Sequence, residues 1–387
     1  MLALLSVAEL FGMALWFVGS AVAPQLRYAW QLDGTEVAWL TIAVQLGFVA
    51  GTAVSAVLNL ADVVPARTLF AASALLGAVS NAGLAFSGSL APALVSRLLA
   101  GACLAGVYPP AMKMTSTWFR QRRGLAVGTI VGALTVGKAG PYLIGALPGM
   151  TVPSLVLISS CSAAVAAALV WFGYHDGPHA FASRPFTWTL VRSVMREPRW
   201  RHATGGYLGH MTELYAYWTW IPAFVAASMA ASPTTVAPVA TRTSSLIGFA
   251  IIAVGGAGCV WGGAVADRIG RARLVTIAMA ISGIACALIG LLFGRTLWLL
   301  TPVALVWGFF IIADSAQFSV LVTESVPSHA VGTALTLQTS LGFLLTTITI
   351  QLVPFIVRMA GWPWAFAFLS VGPALGIASI RRLQHDA

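Results

Sequence analysis

Gly263-Ala264-Val265-Ala266-Asp267-Arg268-Ile269-Gly270-Arg271 is a short charged stretch bracketed by glycines. It joins two apolar runs, about 244–265 and 272–293. Each run has the roughly 20 residues needed to cross a bilayer. The stretch therefore reads as a tight loop at a membrane face, with an acid and two arginines held at helix ends. Outward from it, apolar runs separated by Gly, Pro and charge continue to both ends of the chain. They predict twelve spans in all: 3–22, 37–60, 68–88, 91–111, 124–147, 152–174, 203–228, 244–265, 272–293, 296–319, 331–356 and 362–380.

The composition agrees. Of 387 residues, 59% are apolar and 8% charged, and the mean hydropathy is +0.88. Soluble domains are about one quarter charged, so this composition excludes an ordinary soluble enzyme, a disulfide-stapled domain and a disordered chain. An outer-membrane barrel would alternate polar and apolar residues instead of running apolar for about 20. The fold class is all-α integral membrane. Twelve spans leave short loops and no length for a separate soluble domain. Cys103, Cys161, Cys259 and Cys286 all lie in apolar runs without paired spacing, and read as helix-packing residues. The chain opens almost directly in the first span, without a basic segment and small-residue cleavage site, so no signal peptide is read.

The net charge is +10, from 21 Lys+Arg against 11 Asp+Glu. With both termini in the cytoplasm, only Arg27, Arg242, Arg295 and Arg358 fall outside, while Arg97 and Lys138 fall within spans; the other fifteen basic residues are inside. That bias predicts a multi-pass topology with cytoplasmic termini, and a cytoplasmic (inner) membrane is the expected location. It also removes any need for a nucleic-acid partner. The longest internal loop, 175–202, links spans six and seven.

The halves repeat at an offset of about 204. Glu9-Leu10-Phe11-Gly12 with Trp16 matches Glu213-Leu214-Tyr215-Ala216 with Trp220. Ala126-Val127-Gly128-Thr129 matches Ala330-Val331-Gly332-Thr333, and Asp62 matches Asp267 one residue further on. These matches argue for a duplicated six-helix unit: residues 1–174 and 203–387, joined by a cytoplasmic linker, 175–202.

The GxxxDRxGR pattern of residues 263–271 resembles the signature loop of the major facilitator superfamily. A degraded copy in the first half keeps Leu58, Asp62, Pro65 and Arg67. The resemblance covers essentially the whole chain. It implies two pseudo-symmetric six-helix bundles that rock about a solute site near midplane. It also implies a conformational gate at Asp62, Arg67, Gly263, Asp267, Arg268, Gly270 and Arg271. Asp314 and Glu324, toward the inner end of span ten, are the expected partners of loop arginines. Arg97-Leu98-Leu99-Ala100-Gly101 resembles a second superfamily motif, whose Arg often partners a membrane acid in proton-coupled members. Gly128, Gly137 and Gly140-Pro141 resemble the glycine-proline motif of antiporters, one residue short between Gly137 and Gly140. The subfamily is similar to widespread bacterial permeases of unassigned substrate.

Ionisable groups inside a bilayer are costly and are functional candidates by default. Five stand out: Glu9, Arg97, Lys138, His210 and Glu213. Glu9 and Glu213 are repeat-equivalent and lie about 12–15 Å deep. On their helices, Ser6, Glu9, Met13 and Trp16 share a face, as do His210, Glu213, Tyr217 and Trp220. A carboxyl in a low-dielectric cavity can exchange protons near neutral pH. Each Glu can equally cap a broken helix or bond a neighbour permanently. Lys138, near midplane, can hold an anion, pair with Glu9 or Glu213 when the site is empty, or form a fixed structural pair. Arg97 can serve coupling or snorkel to the outer surface. His210 can relay a proton or pack helices.

No Walker loop is present, and Gly255-Gly256-Ala257-Gly258 lies in a span with no strand before it. No metal, cofactor or enzymatic activity is expected. The leading expectation is a secondary transporter, proton-coupled, working as a monomer on a small organic or inorganic anion. The alternative is a proton-driven exporter of drug-like or cationic compounds. A third reading, a sensor that keeps the fold without moving solute, fits poorly with the retained gate residues.

Overall fold

The computed structural model describes residues 1–119, 123–179, 187–231, 237–327 and 329–385. The first half consists of α1 (Leu2–Met13), α2 (Val18–Trp30), α3 (Gly34–Val57), α4 (Leu60–Val63), α5 (Ala66–Ala82), α6 (Leu90–Leu104), α7 (Tyr108–Trp118), α8 (Arg123–Gly145) and α9 (Val152–Gly173). A surface helix, α10 (Trp188–Arg196), lies in the linker. The second half consists of α11 (Pro198–Ala230), α12 (Ala237–Ile269), α13 (Arg271–Leu288), α14 (Leu297–Ala313), α15 (Ser315–Glu324), α16 (Val331–Ala360) and α17 (Val371–His385).

Eleven helical segments among the described residues are long and apolar enough to cross a membrane. The twelfth span is α11, where His210, Glu213, Thr204, Thr212 and two Arg dilute the apolar character. The twelve-span reading of the sequence therefore holds, and both termini lie on one face, called here the terminal face. Span one runs to Trp30, eight residues beyond its expected end, because Pro24 is accommodated inside α2. Spans one, four and ten are each broken near the middle, between α1 and α2, α6 and α7, and α14 and α15. Local chemistry sets the ends. Asp33 accepts from the Glu36 amide at 2.8 Å while Glu36 accepts from the Asp33 amide at 2.9 Å, a reciprocal cap that starts α3.

Within the first half, α3 packs on α6, α5 on α9, and α1 on both α8 and α9. Within the second, α11 packs on α16 and α17, and α12 on α14. The halves meet most extensively along two seams, α8 against α12 and α3 against α16. Lipid tails are as apolar as leucine, so such seams depend on close van der Waals approach through small residues. A Cβ at Gly128 would meet the Cys259 carbonyl at 3.0 Å, and one at Gly132 the Gly256 carbonyl at 2.8 Å. The α8–α12 backbones thus touch directly. On the opposite seam, Gln351 donates to the Thr35 carbonyl at 3.3 Å, and Thr346 bonds Gln45.

Candidate functional site

The break in span one leaves backbone carbonyls without helical partners. Arg97 satisfies them: its Nη2 donates to the carbonyls of Leu15 at 2.8 Å and Trp16 at 2.6 Å. Its Nη1 donates to Asn81 Oδ1 at 2.6 Å, and Asn81 in turn donates to Ser160 Oγ at 2.9 Å. Arg97 is fully buried. It neither snorkels nor meets a carboxylate; it is a strut under the break. The repeat supports that role. At the 204 offset Arg97 corresponds to Thr301, and span seven, with no such arginine, runs unbroken through α11.

The strut presents Trp16 to Lys138. The Lys138 ammonium stands 4.1 Å from the Trp16 ring centre, 4.8 Å from that of Tyr215 and 5.6 Å from that of Trp218. Its Nζ also donates to the Tyr215 hydroxyl at 2.5 Å. Lys138 makes no direct salt bridge with Glu9 or Glu213; Glu9 acts on it only through space, and aromatic faces contact the cation. At the 204 offset from Lys138 stands Gly342, whose space is filled by the Tyr207 ring.

A cavity opens from this point toward the terminal face. Trp16, Phe48, Tyr108, Met112, Val131 and Lys138 line it from the first half, and Tyr207, Met211, Tyr215, Trp218, Gln338 and Phe343 from the second. Trp16, Phe48, Tyr215 and Phe343 form a midplane collar, with ring centres 4.8–5.7 Å apart. Donors outnumber their partners: the indole nitrogens of Trp16 and Trp218 and the amide nitrogen of Gln338 are buried without a hydrogen bond.

The two membrane glutamates are not alike. Glu213 accepts from Ser282 Oγ at 2.5 Å and Trp307 Nε1 at 3.3 Å, inside the second half and off the cavity. Glu9 is fully buried, and neither of its oxygens has a hydrogen-bond partner. The repeat explains this. The residues equivalent to Ser282 and Trp307 are Ala78 and Cys103, which supply no such donors.

The expected face of span seven is the wrong one. Tyr217 stacks on Trp307 at 3.8 Å and donates to the Ala304 carbonyl at 2.7 Å. Trp220 donates to the Ile350 carbonyl at 3.0 Å. Neither lines the cavity, because the 210/213/217/220 face turns into the second bundle. The 207/211/214/218 face, which spacing alone could have offered, turns to the cavity together with Tyr215. His210 Nδ1 lies 3.0 Å from Asp314 Oδ1, off-axis for a hydrogen bond, with both side chains buried. Asp314 is therefore not the partner of a loop arginine; it sits at the break in span ten, facing His210.

At the terminal face, Glu324 does meet a loop arginine: Arg271 Nη1 lies 2.9 Å from Glu324 Oε1. Both belong to the second half, so this pair does not clamp one half to the other. Asp267 does face across the seam. A Cβ at Gly124, in the first turn of α8, would stand 3.6 Å from Asp267 Oδ2, and one at Gly263 would stand 3.1 Å from the Gly124 carbonyl. An acid there meets the positive end of α8. Gly270 takes φ +88°, the left-handed turn that separates α12 from α13, and Arg268 lies in the last turn of α12. Arg67 lies 5.2 Å over the Trp171 ring, not on an acid. The side chain of Asp62 lies outside the described residues.

A twelve-span helical bundle with a central cavity between two repeated halves defines a membrane transporter. The chain belongs to the major facilitator superfamily, whose family model matches residues 4–350. Its fold is similar to that of a bacterial homologue of the human lysosomal transporter Spinster, solved inward-facing and occupied, at 13% identity. That likeness covers 99% of this chain and 96% of that one, with a TM-score of 0.74. It is also similar to a mutant of the nucleoside transporter NupG, at 15% identity over 99% of both chains and a TM-score of 0.74. At these identities the likeness shows the fold alone. The chain matches no curated protein by sequence.

Proposed function

We propose that the protein is a proton-coupled secondary transporter that moves a small organic anion across the cytoplasmic membrane by alternating access. The observation that carries the anion is Lys138, a buried cation on the cavity wall whose neighbours are rings and a hydroxyl instead of a carboxylate. A buried charge with no carboxylate in direct contact is costly, and an arriving anion relieves that cost. The unpartnered indole and amide donors beside it favour the same sign of ligand.

Glu9 is the proton carrier in this reading. A buried carboxylate without hydrogen bonds is strongly disfavoured, and uptake of a proton removes the penalty. Glu213, already bonded on both oxygens, is a structural residue. The arginine bias assigns the terminal face to the cytoplasm, so the cavity opens inward in this state. Residues 1–174 and 203–387 act as the two rocking units, 175–202 tethers them, and one chain carries one complete pathway. The export of drug-like cations is favoured only by the aromatic walls, and Lys138 opposes it.

The test is uptake of radiolabelled small anions into proteoliposomes. The parent should show saturable uptake. Lys138→Gln should raise KM at least about tenfold, the loss expected for about 1.4 kcal/mol of charge-assisted bonding. Unchanged kinetics in that variant would remove the anion reading.

A further inference from the structure

We infer that the solute is an aromatic monocarboxylate: one negative charge on a flat apolar body. This rests on the anion reading above and narrows it. The cavity offers one cation. The other span cation, Arg97, is committed to Asn81 and the carbonyls of Leu15 and Trp16, and does not line the cavity. A dianion would leave one charge uncompensated in a low-dielectric site. A monocarboxylate matches Lys138, and its second oxygen finds the free indole N–H of Trp16 or Trp218.

The body of the ligand is read from what surrounds the charge. The ammonium rests on rings, and the collar of Trp16, Phe48, Tyr215 and Phe343 abuts it, two rings from each half. Their centroid spacings fall in the range of tilted and edge-to-face contacts, the geometry that accepts another flat ring. Charge-assisted bonding to a carboxylate is stronger than a cation–π contact, so the ligand takes Lys138 from the rings and the vacated faces receive its own ring. A ring held there touches both halves at once, which is what a solute that triggers rocking must do. An organic cation would find the aromatic box already filled by Lys138 and would be repelled by it.

The test is titration calorimetry of the detergent-purified protein with benzoate, acetate, phthalate, benzamide and benzylamine. Benzoate should bind at least tenfold tighter than acetate, phthalate or benzamide, and benzylamine should not bind. Phe343→Leu, which keeps an apolar side chain and removes the π face, should lower the benzoate-to-acetate affinity ratio at least threefold. A melting curve of that variant reports whether it folds; Phe48→Leu, with the same expectation, stands in if it does not. Equal binding of benzoate and acetate would overturn the aromatic inference and leave the anion reading intact. Tighter binding of phthalate would overturn the single charge alone. Binding of benzylamine, or of none of the anions, would overturn both.

Discussion

The Lys138 ammonium lies 2.5 Å from the Tyr215 hydroxyl, and the two residues come from opposite halves of the molecule. The only cation on the cavity wall among the described residues is thus held at rest by a neutral acceptor from the other half. A hydrogen bond to a charged group contributes about 1.5–3 kcal/mol. Removing the hydroxyl with Tyr215→Phe keeps the ring under the ammonium and deletes the competing acceptor. Anion affinity should rise about tenfold or more, with slower turnover, in counterflow kinetics; weaker binding would show that the hydroxyl contacts the solute directly.

The glutamates should separate in a stability measurement. Glu213→Ala leaves Ser282 and Trp307 without their acceptor, at about 1–3 kcal/mol. Glu9→Gln breaks no bond, because neither Glu9 oxygen has a partner. Thermal unfolding should therefore show Glu213→Ala destabilised and Glu9→Gln unchanged or more stable. The reverse order would exchange their roles.

Arg97 predicts a different signature. Arg97→Ala should unseat the span-one break, and with it Trp16, leaving the carbonyls of Leu15 and Trp16 unpaired. Solute affinity should fall at least about tenfold, while the stoichiometry of protons per solute, measured from paired flux, should stay at the parent value. A changed stoichiometry would return Arg97 to a coupling role.

Asp267 gives a smaller effect. An acid at a helix N-terminus contributes about 0.3–1 kcal/mol. Asp267→Asn should shift the balance between inward- and outward-closed states about two- to fivefold, read by cysteine accessibility on the terminal face. Glu324→Gln, which breaks a pair inside one half, should leave that balance near the parent value.

The fold was legible because hydropathy is a property of single residues and their order. Each span overlaps its predicted apolar run, although spans one, four and ten run past their expected ends, and even α11 was readable despite its polar centre. Lys138 and Trp16 were legible as cavity-lining residues for a related reason: a lone cation and a paired repeat position stand out in an apolar run. The face of span seven was not, because Glu213 drew attention to its own side of the helix. Whether a buried acid finds hydrogen-bond partners depends on Ser282 and Trp307, which are 69 and 94 residues away. Likewise Asp314 could not be assigned to His210 from spacing alone, since nothing in the sequence shows that spans seven and ten meet there.

The most direct test of coupled anion transport is proton entry into proteoliposomes carrying a pH-sensitive dye, triggered by adding benzoate. The account predicts a signal in the parent that is retained in Glu213→Gln, lost in Glu9→Gln and lost in Lys138→Gln. Full proton entry in the Glu9→Gln protein, or solute uptake by the parent with no proton entry, would contradict it.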